Sequence, residues 1–384
     1  MPSQDQQLIK NNNQKAIFDH IRKSPGISRA ALAKLCHLSK PAVSDLAGEL
    51  IQNQFIYDIG ILDSPAVGRK PNGLELKQGS HFVFVFRFEN AFLQLQVIDI
   101  CGFCAYKVRH RREAGLTFAR LARKTADSLL ESQFPSSSVI GICFVVPAMI
   151  DLEREEIYST ALSLTEAEAS HMLTELKTLF SDFSTAVFND TACLAYGEKI
   201  YSPIAEEDFA FINFDRGIGA TLFINGQMLG KASASYTQFG HVSVDPNGPL
   251  CSCGNRGCLE RMVGEAFLPL SYEELGLRVS QKNPDACREI DKIAELFSYA
   301  LCSLICMVRP KAIILGGNAF QLGPDFLSLL TQKLSVRGFR RMMEPLTVRY
   351  SIQGPDACYI GAMKYFFDQY YNFNMDDTGN FHIG

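Results

Sequence analysis

Cys251, Cys253 and Cys258, with His241 ten residues before the first of them, place three thiols and one imidazole in a short stretch of chain. Three thiolates and one imidazole fill all four positions of a tetrahedral structural zinc, leaving none for a reactive water. Gly254 and Gly257 punctuate the run Cys-Ser-Cys-Gly-Asn-Arg-Gly-Cys-Leu-Glu. Glycine permits the tight backbone that would turn Cys253 and Cys258 toward one ion. The bland alternative is three reduced thiols in a loop. The dense spacing and the glycine punctuation favour the metal, which is expected to shape a site and to perform no chemistry.

The rest of the chain must hold that loop. Its 384 residues exceed one ordinary domain, so two or three are expected. A hydrophobic content of 47% with 20% charged residues supplies ample core. No apolar run reaches membrane-spanning length, since the stretch around 139–150 is strand-sized and broken by Pro147. Twelve cysteines without extracellular spacing, and a polar N-terminal stretch without a leader, imply a reducing cytoplasm. Residues 1–77 hold ten Lys and Arg against seven Asp and Glu, whereas the remainder holds 27 against 34. A basic head on an acidic body suggests that only the head meets a polyanion.

Helical spacing of Ala16, Ile17, His20 and Ile21 predicts a first helix over 12–23, ended by Ser24-Pro25-Gly26. Ser28 reads as the N-cap of a short helix burying Ala31, Leu32 and Leu35. After a turn at Cys36-His37-Leu38, Ser39 caps a third helix with Pro41 in its first turn and a stripe of Val43, Leu46, Ala47 and Leu50. Strands over 55–57 and 74–76 flank a polar loop ending in Gly68-Arg69-Lys70-Pro71. This order is that of a winged helix-turn-helix, over residues 1–78. Ser39, Lys40, Ala42, Ser44 and Asp45, at the start of the third helix, are then the candidates for a major groove of double-stranded DNA. Arg69 and Lys70, in the wing tip, suit a minor groove.

Residues 79–384 alternate strands with helices. Strands are expected at 82–86, 93–97, 139–146, 186–188, 209–214, 221–224 and 311–315, the sixth leading into an Asn225-Gly226 hairpin turn. Helices are expected at 118–130, 166–180 and 285–308. The fold class is α/β, with length for two lobes and a cleft between them. The tail after Tyr370, rich in Asn and Asp, reads as partly disordered.

Gly240-His241 followed by Cys-x-Cys-Gly-x-x-Gly-Cys-x-Glu resembles the ROK family of repressors, open reading frames and sugar kinases. Gly-Ile-Ser-Arg at 26–29 and the Gly-Arg-Lys-Pro tip are similar to its winged-helix branch, that of the glucose, N-acetylglucosamine and xylose repressors. The resemblance implies an actin-like ATPase fold for the body and a homodimer or tetramer. It also implies that Asn189, Asp190, Gln238, His241 and Glu260 face a sugar or sugar phosphate, Asp190 standing where the kinases keep their base. Gly197-Glu198 follows as in the family.

Two departures qualify that picture. The kinases carry Asp-x-Gly-Gly-Thr after the first strand, where glycines admit the ATP phosphates; here Arg87-Phe88-Glu89-Asn90-Ala91 stands instead. Phe88 and Glu89 are expected to crowd or repel a triphosphate. A second phosphate loop persists in part as Asp215-Arg216-Gly217-Ile218-Gly219, and an adenosine-side Gly316-Gly317 remains. Gln238 replaces the family's usual Glu, and 232–236 lacks its usual glycines. The expectation is a non-enzymatic transcriptional repressor of carbohydrate-use genes. The alternatives are a sugar kinase, and a regulator that has lost sugar binding and answers to a protein partner.

Overall fold

A computed structural model describes residues 4–61, 72–151, 154–159, 161–202, 207–215, 217–230, 237–337, 341, 344–373 and 379–383. The chain opens with α1 (Gln4–Lys23), β1 (Ile27–Ser28), α2 (Arg29–Leu35), α3 (Lys40–Gln52), β2 (Ile56–Ile61) and β3 (Asn72–Leu76). The strands form a small sheet in the order β1-β3-β2. Ser28 Oγ accepts the Ala31 N–H and Ser39 Oγ accepts the Ala42 N–H, so both expected caps form. Val43, Leu46, Ala47 and Leu50 are all buried. The wing tip with Arg69 and Lys70 lies outside the described residues.

Two expectations here need correction. Leu35 is 51% exposed, because α2 ends at that residue and Ala33 takes the inward position. Helix α1 begins eight residues earlier than periodicity indicated. Its early turns bury the polar Asn11 and Gln14, which no apolar pattern reveals. Asn11 Oδ1 accepts the Phe373 N–H at 2.9 Å and Gln14 Nε2 donates to Glu49 at 3.0 Å.

The body is built on two sheets. The first contains β4 (Phe82–Glu89), β5 (Phe92–Asp99), β6 (Cys104–Arg111), β7 (Val139–Val146), β10 (Thr185–Asn189) and β16 (Phe381–Ile383), in the order β16-β10-β7-β4-β5-β6. A hairpin of β8 (Met149–Asp151) and β9 (Glu156–Tyr158) stands apart from it. The second sheet has the order β13-β12-β11-β14-β15, using β11 (Phe209–Phe214), β12 (Ile218–Ile224), β13 (Gln227–Met228), β14 (Ala312–Gly317) and β15 (Thr347–Tyr350). Strand β6 was not expected, since none of its residues is fully buried and Lys107, Arg109 and Arg111 interrupt any apolar pattern. The Asn225-Gly226 turn has positive φ at both residues, as a tight hairpin requires.

Helices α4 (Phe118–Ser132) and α5 (Glu166–Leu179) cover one face of the first sheet. Helices α7 (Leu259–Val263), α8 (Tyr272–Ser280), α9 (Pro284–Val308) and α10 (Gly323–Val336) pack with the second sheet. Between the sheets lie α6 (Asp190–Tyr201) and α11 (Ala357–Gln369), whose core draws on Val83, Val145 and Phe188 from one sheet and Phe209, Phe211 and Ile314 from the other. Their backbones touch. A Cβ on Gly197 would overlap the Ala357 carbonyl, and one on Gly361 would overlap the Cys193 carbonyl. Fully buried Glu198 pairs with Arg349 of β15 at 2.9 Å and accepts the Ser351 hydroxyl at 2.6 Å, tying α6 to the second sheet.

The end of α11 continues to the N-terminal elements. Phe367 packs on Phe18 with ring centroids 4.7 Å apart, and Lys364 pairs with Asp19 of α1 at 2.9 Å. Of the tail, Tyr371 and Phe373 join the N-terminal core and β16 pairs in parallel with β10, while residues 374–378 lie outside the described residues. Among the described residues no helix is long and apolar enough to cross a membrane. Gly361→Ala should lower stability by about 1–3 kcal/mol through overpacking at the α6–α11 contact. Urea denaturation checks this, and an unmoved midpoint would deny the contact.

Candidate ligand cleft and metal loop

The loop after β13 folds around its cysteines. Val244 N–H donates to the Gly257 carbonyl at 2.8 Å and Cys251 N–H to the Asn255 carbonyl at 2.8 Å. Gly254 and Gly257 take φ of 88° and 60°, and a Cβ on Gly257 would overlap the Asp245 carbonyl. His241 Nδ1 lies 3.5 Å from Cys251 Sγ, and Cys253 Sγ lies 3.5 Å from Cys258 Sγ. One ligand atom from each of the four residues falls within 4.8 Å of the others. Zinc ligands at about 2.0–2.3 Å in a tetrahedron stand roughly 3.5–3.8 Å apart, so the quartet fits such an ion. Burial raises the Cys251 thiol, but the Cys253 N–H, His241 and the other two thiols outweigh it and bring it down to about 7.

The same loop walls a cleft of ≈ 1150 Å³. Asn189, Asp190, Gln238, His241 and Glu260 all line it, which unites the five positions singled out in the sequence. Gly240 lets the His241 turn press against β12, since a Cβ there would overlap the Ile218 carbonyl. Glu260, two residues past Cys258, accepts the Ile218 N–H on Oε2 at 2.8 Å. Asn189 caps α6 through the Ala192 N–H at 3.1 Å and donates to the Ala148 carbonyl at 3.0 Å. Its amide retains one hydrogen and one lone pair for anything in the cleft.

Asp190 opens α6 on the cleft floor. Its Oδ1 accepts the Thr191 N–H at 2.8 Å and the Thr191 hydroxyl at 3.4 Å. Asn213 Nδ2 in turn donates to Thr191 Oγ1 at 3.3 Å, and Asn213 Oδ1 is buried without a partner among the described residues. Burial pushes the Asp190 carboxyl up to about 6, and Asp215 adds to this, against the opposing pull of Arg87 and the Thr191 hydrogen bonds.

Sequence reasoning missed what Arg87 does. It bridges the two lobes, from β4 to Asp215 in the β11–β12 turn at 3.5 Å, with Glu89 at 3.9 Å. Burial acts to lower the guanidinium pKa, yet neighbouring acids, Asp190 and Asp215 among them, raise it above the ordinary arginine value. Arg109 was also missed; it pairs with Glu89 at 2.8 Å and lies 3.8 Å over the Phe92 ring. These partners are far apart in the chain or alternate along a strand, so no local motif flags them. Phe88 lines the cleft, with its ring fully buried and stacked on Phe118 at 4.8 Å. Gly316 and Gly317 are absent from the lining. Cβ atoms there would overlap Phe211 and the Phe214 carbonyl, which gives both glycines a packing role. Arg216 and residues 232–236 lie outside the described residues.

Two sheets sandwiching a helix pair, with a ligand-sized cleft and a Cys3His loop at its wall, define a two-lobed α/β protein of the actin-like type. Residues 110–368 match the ROK family, and the chain belongs to it. It is 24% identical over 386 residues to the xylose repressor of Bacillus subtilis (strain 168), covering 95% of this chain and 97% of that one. A glucokinase of Halalkalibacterium halodurans is 23% identical and covers 66% of this chain and 84% of its own. Among solved structures, a ROK family transcriptional regulator, homolog of the Escherichia coli Mlc protein, superposes with a TM-score of 0.80 at 18% identity, covering 97% of this chain and 99% of that one.

A pH dependence follows for Asp190. Its folded pKa exceeds the unfolded value of 3.8, so its ionisation opposes folding. That cost is absent below about pH 4, grows up to about pH 6 and is constant above, at roughly 3 kcal/mol. Asp190→Asn should therefore stabilise the protein, with the gain over wild type widening from pH 5 to pH 8 in thermal melts. A gain independent of pH would contradict the raised carboxyl.

Proposed function

We propose that this chain is a DNA-binding transcriptional repressor of carbohydrate-use genes whose operator affinity is set by a sugar in the cleft. The observation that carries the reading is the reach of the repressor match: it covers 95% of the chain, N-terminal elements included, whereas the glucokinase match covers 66%. Residues 1–78 form the winged helix-turn-helix and residues 79–384 the sugar-responsive body. Lys40, Ser44 and Asp45 are exposed and Ala42 is half-exposed at the start of α3, which suits entry into a major groove. Ser39 is spent on the helix cap. Arg69 and Lys70 extend the contact into the minor groove.

His241, Cys251, Cys253 and Cys258 hold a structural zinc, which would fix the loop that carries His241 and Glu260. Asn189, Asp190, Gln238, His241 and Glu260 bind the sugar. A homodimer or tetramer in the cytoplasm presents two heads to half-sites separated by about one helical turn or a multiple of it. Catalysis is not part of this reading, because Glu89 and Asn90 stand where a nucleotide would need phosphate-binding glycines. ADP release on incubation with hexoses and ATP would revive the kinase alternative. Operator release by a protein, with no response to any sugar, would favour the protein-partner alternative.

Mobility shifts on DNA flanking the gene test the reading, and loss of every sequence-specific shift, with and without sugars, would overturn it. Lys40→Ala with Ser44→Ala should weaken specific binding by at least about tenfold, at about 1–3 kcal/mol per base contact, more than it weakens binding to random DNA. Cys258→Ser should lose the bound zinc in metal analysis and lower the melting temperature. Full zinc content in that variant would refute the ligand set.

A further inference from the structure

The three thiols of the metal loop differ sharply in access. Cys251 and Cys258 are buried, whereas Cys253 is exposed, as only Cys104 and Cys306 are among the other cysteines. Cys253 stands at the tip of a tight hairpin, which the Leu250–Arg256 bridge and the Cys251 N–H to Asn255 carbonyl bond close. Gly254 beside it faces open space, with no heavy atom within 4 Å of where a Cβ would stand. Ser252 and Cys253 also line the cleft, so a small solute reaches the sulfur from there.

Cys258 is held in the opposite way. Its side chain is fully buried, its backbone bridges Ser243, and the next N–H, that of Leu259, donates to the Val242 carbonyl at 2.9 Å. Its Sγ nevertheless lies 3.5 Å from the Cys253 Sγ. A disulfide needs about 2.0 Å, so the tip must move by roughly 1.5 Å. Gly254 and Gly257, between the two cysteines, give the backbone that freedom. Cys251 is a poorer partner, because one intervening residue makes a strained ring and its sulfur faces His241. An exposed thiolate in contact with a buried second thiol is the arrangement of an oxidant-sensitive cysteine pair.

We propose that Cys253 and Cys258 are a peroxide-oxidisable pair, Cys253 the attacked sulfur and Cys258 the resolving one, whose disulfide opens the metal loop. The proposal rests on the zinc reading, in which both sulfurs are thiolates. Cys253 attacks a hydroperoxide: an S–O bond forms, the O–O bond breaks and hydroxide or alkoxide leaves, giving a sulfenic acid. Cys258 then attacks that sulfur, so the S–S bond forms, the S–O bond breaks and hydroxide leaves. The two sulfurs together lose two electrons, which the peroxide gains. His241 and Cys251 then remain as two ligands, too few to close a tetrahedral site. The loop that presents His241 and Glu260 thereby loses its crosslink.

The test treats the full-length, zinc-loaded protein with hydrogen peroxide, following zinc with a chromophoric chelator and the cysteines by peptide mapping. One zinc per chain should be released together with a Cys253–Cys258 disulfide, and dithiothreitol with added zinc should reverse both. Cys104→Ser with Cys306→Ser should release zinc at the wild-type rate. Cys253→His keeps a zinc ligand without the attacked sulfur and should slow release at least about tenfold. If that variant fails to fold or to hold zinc, the peptide map of the wild type decides alone. Zinc retained under peroxide, or lost with these two cysteines uncrosslinked, overturns the proposal and leaves the repressor and zinc readings intact. A protein that holds no zinc before oxidation overturns the zinc reading and the proposal together.

Discussion

Two helices can cross at backbone distance only where side chains are absent, and the α6–α11 crossing is the contact on which the other parts of this molecule converge. Gly197 and Gly361 create it, each next to a carbonyl of the opposite helix. Because the contact is so close, one helix pair can fill the space between two sheets and give them a common core. The N-terminus of α6 delivers Asn189 and Asp190 to the cleft, and the far end of α11 delivers Lys364 and Phe367 to α1. The cleft and the N-terminal elements are thus built on the two ends of one rigid unit.

The opposite wall of the cleft depends on the cysteine loop. Glu260 follows Cys258 directly into α7, and its carboxylate holds the Ile218 N–H of β12. Gly217 leaves room for that carboxylate, since a Cβ there would reach Glu260 Oε2. The family's phosphate-loop remnant therefore serves here as a seat for Glu260. A small loop with little apolar core of its own needs a crosslink to hold such precision, and a metal held by His241, Cys251, Cys253 and Cys258 would supply it.

What the sequence disclosed divides by locality. The cysteine quartet, the caps Ser28 and Ser39 and the Asn225-Gly226 turn are short-range features, and each appears where its spacing put it. Strands β7 and β11 matched their expected limits because buried strands read as continuous apolar runs. Helices α6 and α11 escaped notice because they are buried on nearly every side, which erases the 3.6-residue period. The Arg87–Asp215 bridge joins residues 128 apart, so only the fold reveals it. The sequence could show that a phosphate loop was missing, but not that a cross-lobe ion pair had taken its place.

That ion pair gives the two ends of the rigid unit their meaning. Arg87 lies on the first lobe and Asp215 on the second, so their separation depends on the angle between lobes. Inside the hinge, Tyr196 of α6 donates to Asp368 of α11 at 2.6 Å, and Lys364 joins that carboxylate to Asp19 of α1. A close-packed helix pair cannot absorb a change of angle by compression, because interiors at crystalline density transmit strain instead of dissipating it. A change of lobe angle would therefore act on the α6–α11 pair as one body, whose far end meets α1 through Lys364 and Asp19. A ligand that binds one lobe angle more tightly than another by about 1–3 kcal/mol would bias the head by the same amount.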